Sequence, residues 1–160
     1  MTTMTAVAAT LDHAAIEALV PHRGAMCLID RLTAWSDVHI ECTAINHRHA
    51  SHPLRTSSGL MASATIEYAA QAAALHGALA ARASGGEAPA GMLASARGVH
   101  LHAWRLDDLA PAVPDELQIV ARRVAGDAGR LLYAFSVSHG GLPVATGRLA
   151  VLLDATRTAP

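Results

Sequence analysis

Lysine is absent from these 160 residues; all twelve basic side chains are arginine. Catalysis through a lysine Schiff base is therefore excluded. Large aromatic side chains are scarce as well: five residues are Phe, Trp or Tyr, and much of the 52% hydrophobic fraction is alanine. A core short of bulky side chains gains from burying further surface in an oligomer, which favours a dimer. Net charge is close to zero, at −1, so there is neither a basic stripe for nucleic acid nor a polybasic patch for a membrane surface. The two cysteines, Cys27 and Cys42, lie in apolar or strand-like contexts without CxxC spacing. They read as buried free thiols in a reducing cytoplasm. No run reaches the roughly 18 apolar residues needed to span a bilayer. The first twenty residues lack a basic n-region and contain Asp12 and Glu17, so they do not read as a signal peptide. A cytoplasmic protein is expected. The length fits one domain over residues 1–160 with an ordinary core, and 1–10 and 154–160 read as loose ends.

What is present is one long apolar segment, Gly59–Arg82, GLMASATIEYAAQAAALHGALAAR. It is rich in alanine, favours helix by propensity, and is apolar nearly all the way round, as an enclosed helix is. A short helix is predicted before it at Leu11–Val20, capped by Asp12 and stopped by Pro21. An apolar strand, Met26–Leu32, pairs as a hairpin with Trp35–Asn46, where Val38, Ile40, Cys42 and Ala44 alternate with polar neighbours. A polar, His-rich loop leads into the long helix, which ends at the Gly/Pro-rich SGGEAPAG. Further strands are predicted at Met92–Leu106, Glu116–Val124, Arg130–His139 and, after a tight turn at Gly140-Gly141, Pro143–Leu153. A single enclosed helix with a sheet curling round it is an α+β arrangement.

Three features point to chemistry. Glu67 sits in the apolar helix as IEYAAQ, where desolvation raises a carboxyl pKa and suits it to general acid work. Gln71, one turn on, can orient it. The alternative for Glu67 is an ion pair with Arg97 or Arg105. His47, His49 and His52 precede the helix, and a neutral imidazole is a common general base. The spacing His47-x-His49 puts both rings on one strand face, so a metal site is conceivable there. Without a nearby Cys or Asp or a fourth ligand, surface histidines are the plainer reading for both. Finally, backbone N–H groups at Gly59, Leu60 and Met61, at the start of the helix, can polarise a carbonyl. Tyr68, Met61 and Leu75 read as packing residues, and Arg23 as a tie for its own turn.

PHRGAMCLIDR and the pair HP…SSGL…IEYAAQ resemble the opening block, His loop and acidic helix of the FabZ/FabA-like 3-hydroxyacyl-[acyl carrier protein] dehydratases. The IEYxAQ form and overall length are closest to the ApeP-like branch associated with aryl polyene, polyketide and fatty-acid clusters. The resemblance spans about Ile16 to Leu153. It implies a hotdog fold, a long helix wrapped in an antiparallel sheet. It also implies a dimer whose active sites are shared between subunits. The family's histidine falls on His52, its acid on Glu67 and its amide region on Gly59–Met61. The implied reaction is dehydration of a 3-hydroxyacyl thioester to a trans-2-enoyl thioester, with His52 taking the C2 proton and the partner subunit's acid protonating the leaving hydroxyl. An acyl-phosphopantetheine carrier, acyl carrier protein or coenzyme A, would deliver the substrate, and no metal or redox cofactor is called for. Three departures stand out: the His loop lacks its usual glycine, the His-to-Glu separation is one residue longer, and Met61 replaces a proline. They leave room for His49 as the nearer imidazole, and for a catalytically impaired subunit working in a hetero-oligomer with an active homologue. A hotdog thioesterase is the remaining alternative.

Overall fold

The alanine-rich segment folds as α2, Thr65–Ala83, entered through a 3-10 turn at Ala62–Ala64. The computed structural model describes residues 10–158, with side chains through 154. The expected loose start at 1–9 and the last two residues lie outside that range. Small side chains let the helix lie close on its neighbours, and Tyr68, Ala69, Ala72, Ala73, Leu75 and His76 are all buried along it. It begins later than the sequence suggests because Gly59–Met61 are drawn into contacts with a distant loop, described below. It ends where Gly85, at φ +77°, takes the left-handed conformation that closes helices.

Before the helix come α1, His13–Glu17, and the strands β1, Arg31–Trp35, and β2, His39–Ala44. After it come β3, Pro89–Leu101, β4, Leu117–Gly126, β5, Arg130–His139, and β6, Leu142–Thr158. All pairings are antiparallel, in the order β1-β2-β4-β5-β6-β3. The expected alternation is realised at Ile40, Cys42 and Ala44 of β2, as at Leu117, Ile119 and Ala121 of β4 and Tyr133, Phe135 and Val137 of β5, all buried, whereas Val38 precedes β2 and is exposed. Helix α2 packs against β2, β3, β4 and β5, so one sheet encloses one helix. This is the hotdog arrangement. Gly140 and Gly141, at φ +55° and +79°, make the tight β5–β6 turn. Both cysteines are free and buried, and burial pushes the Cys42 thiol up to about 12.

Several expected boundaries shift: the strand expected at Trp35–Asn46 is β2 at His39–Ala44, with Trp35 ending β1, and the one expected at Met92–Leu106 is β3 at Pro89–Leu101. Residues Met26–Leu32 are not one strand: Gly24–Met26 forms a 3-10 turn and β1 starts at Arg31. The reason is that the Leu28 amide bonds the Gln71 side chain at 2.8 Å instead of a neighbouring strand. The tail from 154 is not loose as far as Thr158, since β6 runs that far and pairs with β3. No described helix is long and apolar enough to cross a membrane.

One buried polar contact fixes the helix to the sheet. His76 Nε2 lies 2.9 Å from the Ser36 carbonyl, and its Nδ1 lies 2.8 Å from the Tyr133 hydroxyl. A carbonyl only accepts, so the proton sits on Nε2 and the tyrosine donates to Nδ1. Removing that donor strands a buried nitrogen. Tyr133→Phe should therefore cost about 1–3 kcal/mol, read from denaturant unfolding; an unchanged midpoint would refute the contact.

Burial lowers the pKa of His47, His52 and His76 below the ordinary 6.5. Between those folded values and 6.5 the unfolded chain binds more protons, so stability rises with pH across this window and is lost as pH falls. Each such histidine contributes a slope of up to about 1.4 kcal/mol per pH unit. Unfolding midpoints should fall from about pH 7.5 to about pH 5.5, and His76→Gln should flatten the dependence. Equal slopes in the two proteins would contradict this account.

Candidate active site

His52 lies in the loop between β2 and α2, and only 5% of it is exposed. Its Nδ1 accepts the Leu54 amide at 3.1 Å. An amide donates and never accepts, so the imidazole proton is on Nε2, which points to the Tyr68 hydroxyl at 2.9 Å. Tyr68 donates onward to Asn46 Oδ1 at 2.5 Å. The result is a one-way chain, His52 to Tyr68 to Asn46, that fixes tautomer and ring plane together. Burial chiefly, then the neighbouring His49, His47 and Arg55, holds His52 below its ordinary pKa. The neutral form dominates at neutral pH. With Asn46, His49, Pro53, Cys27 and Leu28, His52 lines a cavity of about 320 Å³.

The loop is pinned at its far end by Asp107. This carboxylate takes Arg105 at 2.6 Å, Arg55 at 3.2 Å and the Leu60 amide at 3.0 Å. The Arg105 hydrogen bond first, with the Leu60 amide helping, holds Asp107 well below the usual carboxylate range. Gly59 makes this packing possible. It sits at φ +103°, and a Cβ there would come within 2.5 Å of Arg105 Nε and 2.8 Å of Asp107 Oδ1. The amide donors expected at Gly59 and Leu60 are thus engaged inside the chain, Gly59 with the Thr56 carbonyl and Leu60 with Asp107. Neither lies at the start of the helix. Met61, in an isolated bridge with Arg105, reaches a second hollow of about 370 Å³.

Glu67 opens onto that second hollow, beside Leu54, Thr56, Met61 and Ile66. Its Oε1 is held from two sides, by His22 Nε2 at 3.2 Å and Gln71 Nε2 at 2.9 Å. Gln71 also donates to the Met26 carbonyl at 2.8 Å and accepts the Leu28 amide at 2.8 Å. The helix therefore presents its carboxyl on a scaffold built by the PHRGAM turn. That turn is tied down by Arg23, bonded to the Glu17 and Val20 carbonyls. Two expectations are corrected here. The ionic partner of Glu67 is His22, neither Arg97 nor Arg105, because Arg105 is committed to Asp107. The carboxyl pKa is lowered rather than raised: the His22 hydrogen bond outweighs desolvation, with Gln71 adding to it. The side chain keeps 31% exposure, so the burial penalty is incomplete.

His52 and Glu67 face different hollows within one chain. Among the other histidines, His49 is exposed and shares the His52 cavity. His47 is not a surface residue and forms no strand pair with His49. It sits in a turn, wholly buried, facing Asp115 and His139. The ligating atoms of His47, Asp115 and His139 lie within 4.8 Å of one another. Sequence reasoning passed over His22, Asn46 and Asp107 and read Tyr68 as packing. The available signal was the PHR triplet and the Tyr adjoining Glu67. Asn46 and Asp107 carry no local mark.

Residues 14–158 match the ApeP-like family, described as ApeP dehydratase. A comparison with curated proteins finds no significant match. Among solved structures, the dehydratase heterocomplex ApeI:P from Xenorhabdus doucetiae superposes with a TM-score of 0.76 at 22% identity, covering 89% of this chain and 93% of that one. A hypothetical thioesterase with coenzyme A from Streptococcus pneumoniae gives 0.54 at 13% identity, over 77% and 84% of the two chains. A mutant thioesterase from Pseudomonas aeruginosa gives 0.53 at 15%, over 77% and 79%. At these identities the superpositions speak for the fold, whereas the family match runs from α1 through the His52 loop and the Glu67 helix into β6. On that match the chain belongs to the ApeP-like family and is a dehydratase.

Proposed function

We propose that this dehydratase converts carrier-bound 3-hydroxyacyl thioesters to trans-2-enoyl thioesters, with His52 and Glu67 as its catalytic pair. His52 is the base. As the substrate enters, the Leu54 amide yields Nδ1, which takes the C2 proton, while Nε2–H stays on Tyr68 and steadies the imidazolium. The C2–H electron pair becomes the C2=C3 bond. The C3–O bond breaks, its electrons leave with oxygen, and Glu67 protonates that oxygen, so water departs. Proton return from His52 to Glu67 restores the starting state.

The observation that carries this reading is the way Glu67 is held. Both polar contacts, the His22 ion pair and the Gln71 hydrogen bond, fall on Oε1, which favours Oε2 as the atom that carries the transferable proton. A base and an acid facing separate hollows fit a site completed by another subunit. We assign that subunit to a second dehydratase chain, by analogy with the ApeI:P heterocomplex of Xenorhabdus doucetiae; a homodimer is the other form the same edge allows. Strand β3 supports such pairing: it is a 13-residue sheet edge with Met92 and Leu101 exposed at 65% and 45%. The substrate carrier is an acyl-phosphopantetheine thiol, with acyl carrier protein preferred to coenzyme A.

The test is enoyl absorbance on a 3-hydroxyacyl thioester, with the chain alone and mixed with a second dehydratase subunit. His52→Ala and Glu67→Gln should each lower kcat by about 10²–10⁴-fold, with the assembly unchanged by native mass. Near-normal turnover in either variant removes that residue from the mechanism. Release of free thiol in place of enoyl product would favour thioester hydrolysis instead. Tyr68→Phe should leave KM nearly unchanged and reduce kcat, since it loses support for the imidazolium. Because His52 must be neutral, the acid limb of kcat/KM should lie below the ordinary 6.5. A limb above that value would exclude His52 as the base.

A further inference from the structure

We infer that His47, His139 and Asp115 form a binding site for one divalent transition-metal ion of the zinc type, apart from the His52 and Glu67 hollows. His47 carries the argument. Its ring is 0% exposed, yet among the described residues neither Nδ1 nor Nε2 makes a hydrogen bond. Buried polar atoms almost always have partners, and one left without a partner calls for a group that would supply it. Nε2 of His47 lies 3.3 Å from Asp115 Oδ1, out of line for a hydrogen bond, and His139 Nε2 lies 2.7 Å from the same oxygen. Two imidazole nitrogens and a carboxylate oxygen, all within 4.8 Å of one another, can close on a shared ion by small side-chain movements. That donor set suits zinc and its neighbours.

The contacts around Asp115 suit ligation. Arg48 Nε grips Oδ2 at 2.7 Å, the outer contact that commonly orients a ligating carboxylate and leaves its other oxygen for the metal. Loading the ion requires two adjustments. His139 moves its proton from Nε2 to Nδ1, which leaves its charge unchanged. The Arg48 NH2 contact with Oδ1, at 3.1 Å, gives way while its bond to the Leu109 carbonyl holds that end of the guanidinium. The half-exposed Asp115 leaves an open side for water to complete the coordination.

The fold brings these ligands together by register. Ala44 pairs with Leu117 and Leu117 with His139, so all three ligands gather at one end of the adjacent strands β2, β4 and β5. His47 also begins the loop that carries His52, so an ion there would anchor that loop to the sheet.

The test uses untagged, chelator-dialysed full-length protein and Zn²⁺ alone, independent of dehydration. Calorimetry should give one equivalent bound per chain. The unfolding midpoint should rise by several degrees at about 100 times Kd. Co²⁺ should produce a visible absorption band. His47→Ala and His139→Ala should lose all three signals. Asp115→Asn should lose them as well; it also gives up its ion pairs with Arg48 and His139, so a lower but still cooperative metal-free unfolding transition is expected, which separates ligation from misfolding. A His100→Ala/His102→Ala double variant, removing exposed histidines elsewhere, should retain them. The inference fails if Zn²⁺ does not bind, or if binding survives Asp115→Asn and disappears with His100 and His102.

Discussion

Helix α2 takes Tyr68, Gln71 and His76 out of water, and a buried polar atom left unpaired costs about 1–3 kcal/mol. Each is satisfied by a different part of the chain. Tyr68 joins the His52 loop through His52 and Asn46. Gln71 binds the turn before β1 through Met26 and Leu28, and His76 binds the sheet through Tyr133 and the loop after β1 through Ser36. An all-apolar helix could slide or rotate in its sheet at little cost, since alanine faces offer few interlocking knobs. Three polar anchors along one helix remove that freedom. The site inherits its geometry from them, because Gln71 also holds Glu67 and Tyr68 also holds His52.

The parts of this fold that depend on local pattern were legible in the sequence. Alanine propensity marks α2, period-two alternation marks β2 and β5, and the Gly140-Gly141 pair marks the turn between β5 and β6. The parts decided by distant partners were not. The start of α2 shifts because Asp107 captures the Leu60 amide, and nothing near Gly59 announces an aspartate so far along the chain. The Glu67 pKa follows the same logic. Residue type and an apolar setting imply a raised value, but His22, delivered by a turn that Pro21 and Arg23 shape, reverses the sign. His47 reads as a surface residue within a polar loop, yet it is buried against Asp115, just before β4, and His139, the last residue of β5.

The His52 loop departs from its relatives' pattern, and the structure supplies a physical reason why it is nonetheless well defined. A glycine after the histidine would let backbone approach closely and turn sharply. Here the Pro53-Leu54 turn places an amide on His52 Nδ1 instead, and the necessary glycine stands at Gly59, where Arg105 and Asp107 press against the backbone. Arg55 reaches the same Asp107. Both ends of the loop are thus fixed, one through the imidazole and one through a carboxylate network.

Glu67 then poses a question of proton supply. A general acid must hold a proton, whereas His22 and Gln71 favour the ionised form. The opposing influence, desolvation, is present but limited by the 31% exposure of the side chain. Covering the second hollow with another subunit removes water from Oε2 without touching the two bonds on Oε1, so desolvation grows while the lowering contributions stay fixed. Raising the carboxyl from below its ordinary 4.5 to about neutrality takes more than about 3 kcal/mol, at about 1.4 kcal/mol per pKa unit, which is within the several kcal/mol that burying a carboxylate can cost. The proposed mechanism couples assembly to acid strength in this way. In the proposed mechanism an isolated chain keeps Glu67 ionised, and completion of the site by another subunit would move the same carboxyl toward proton donation.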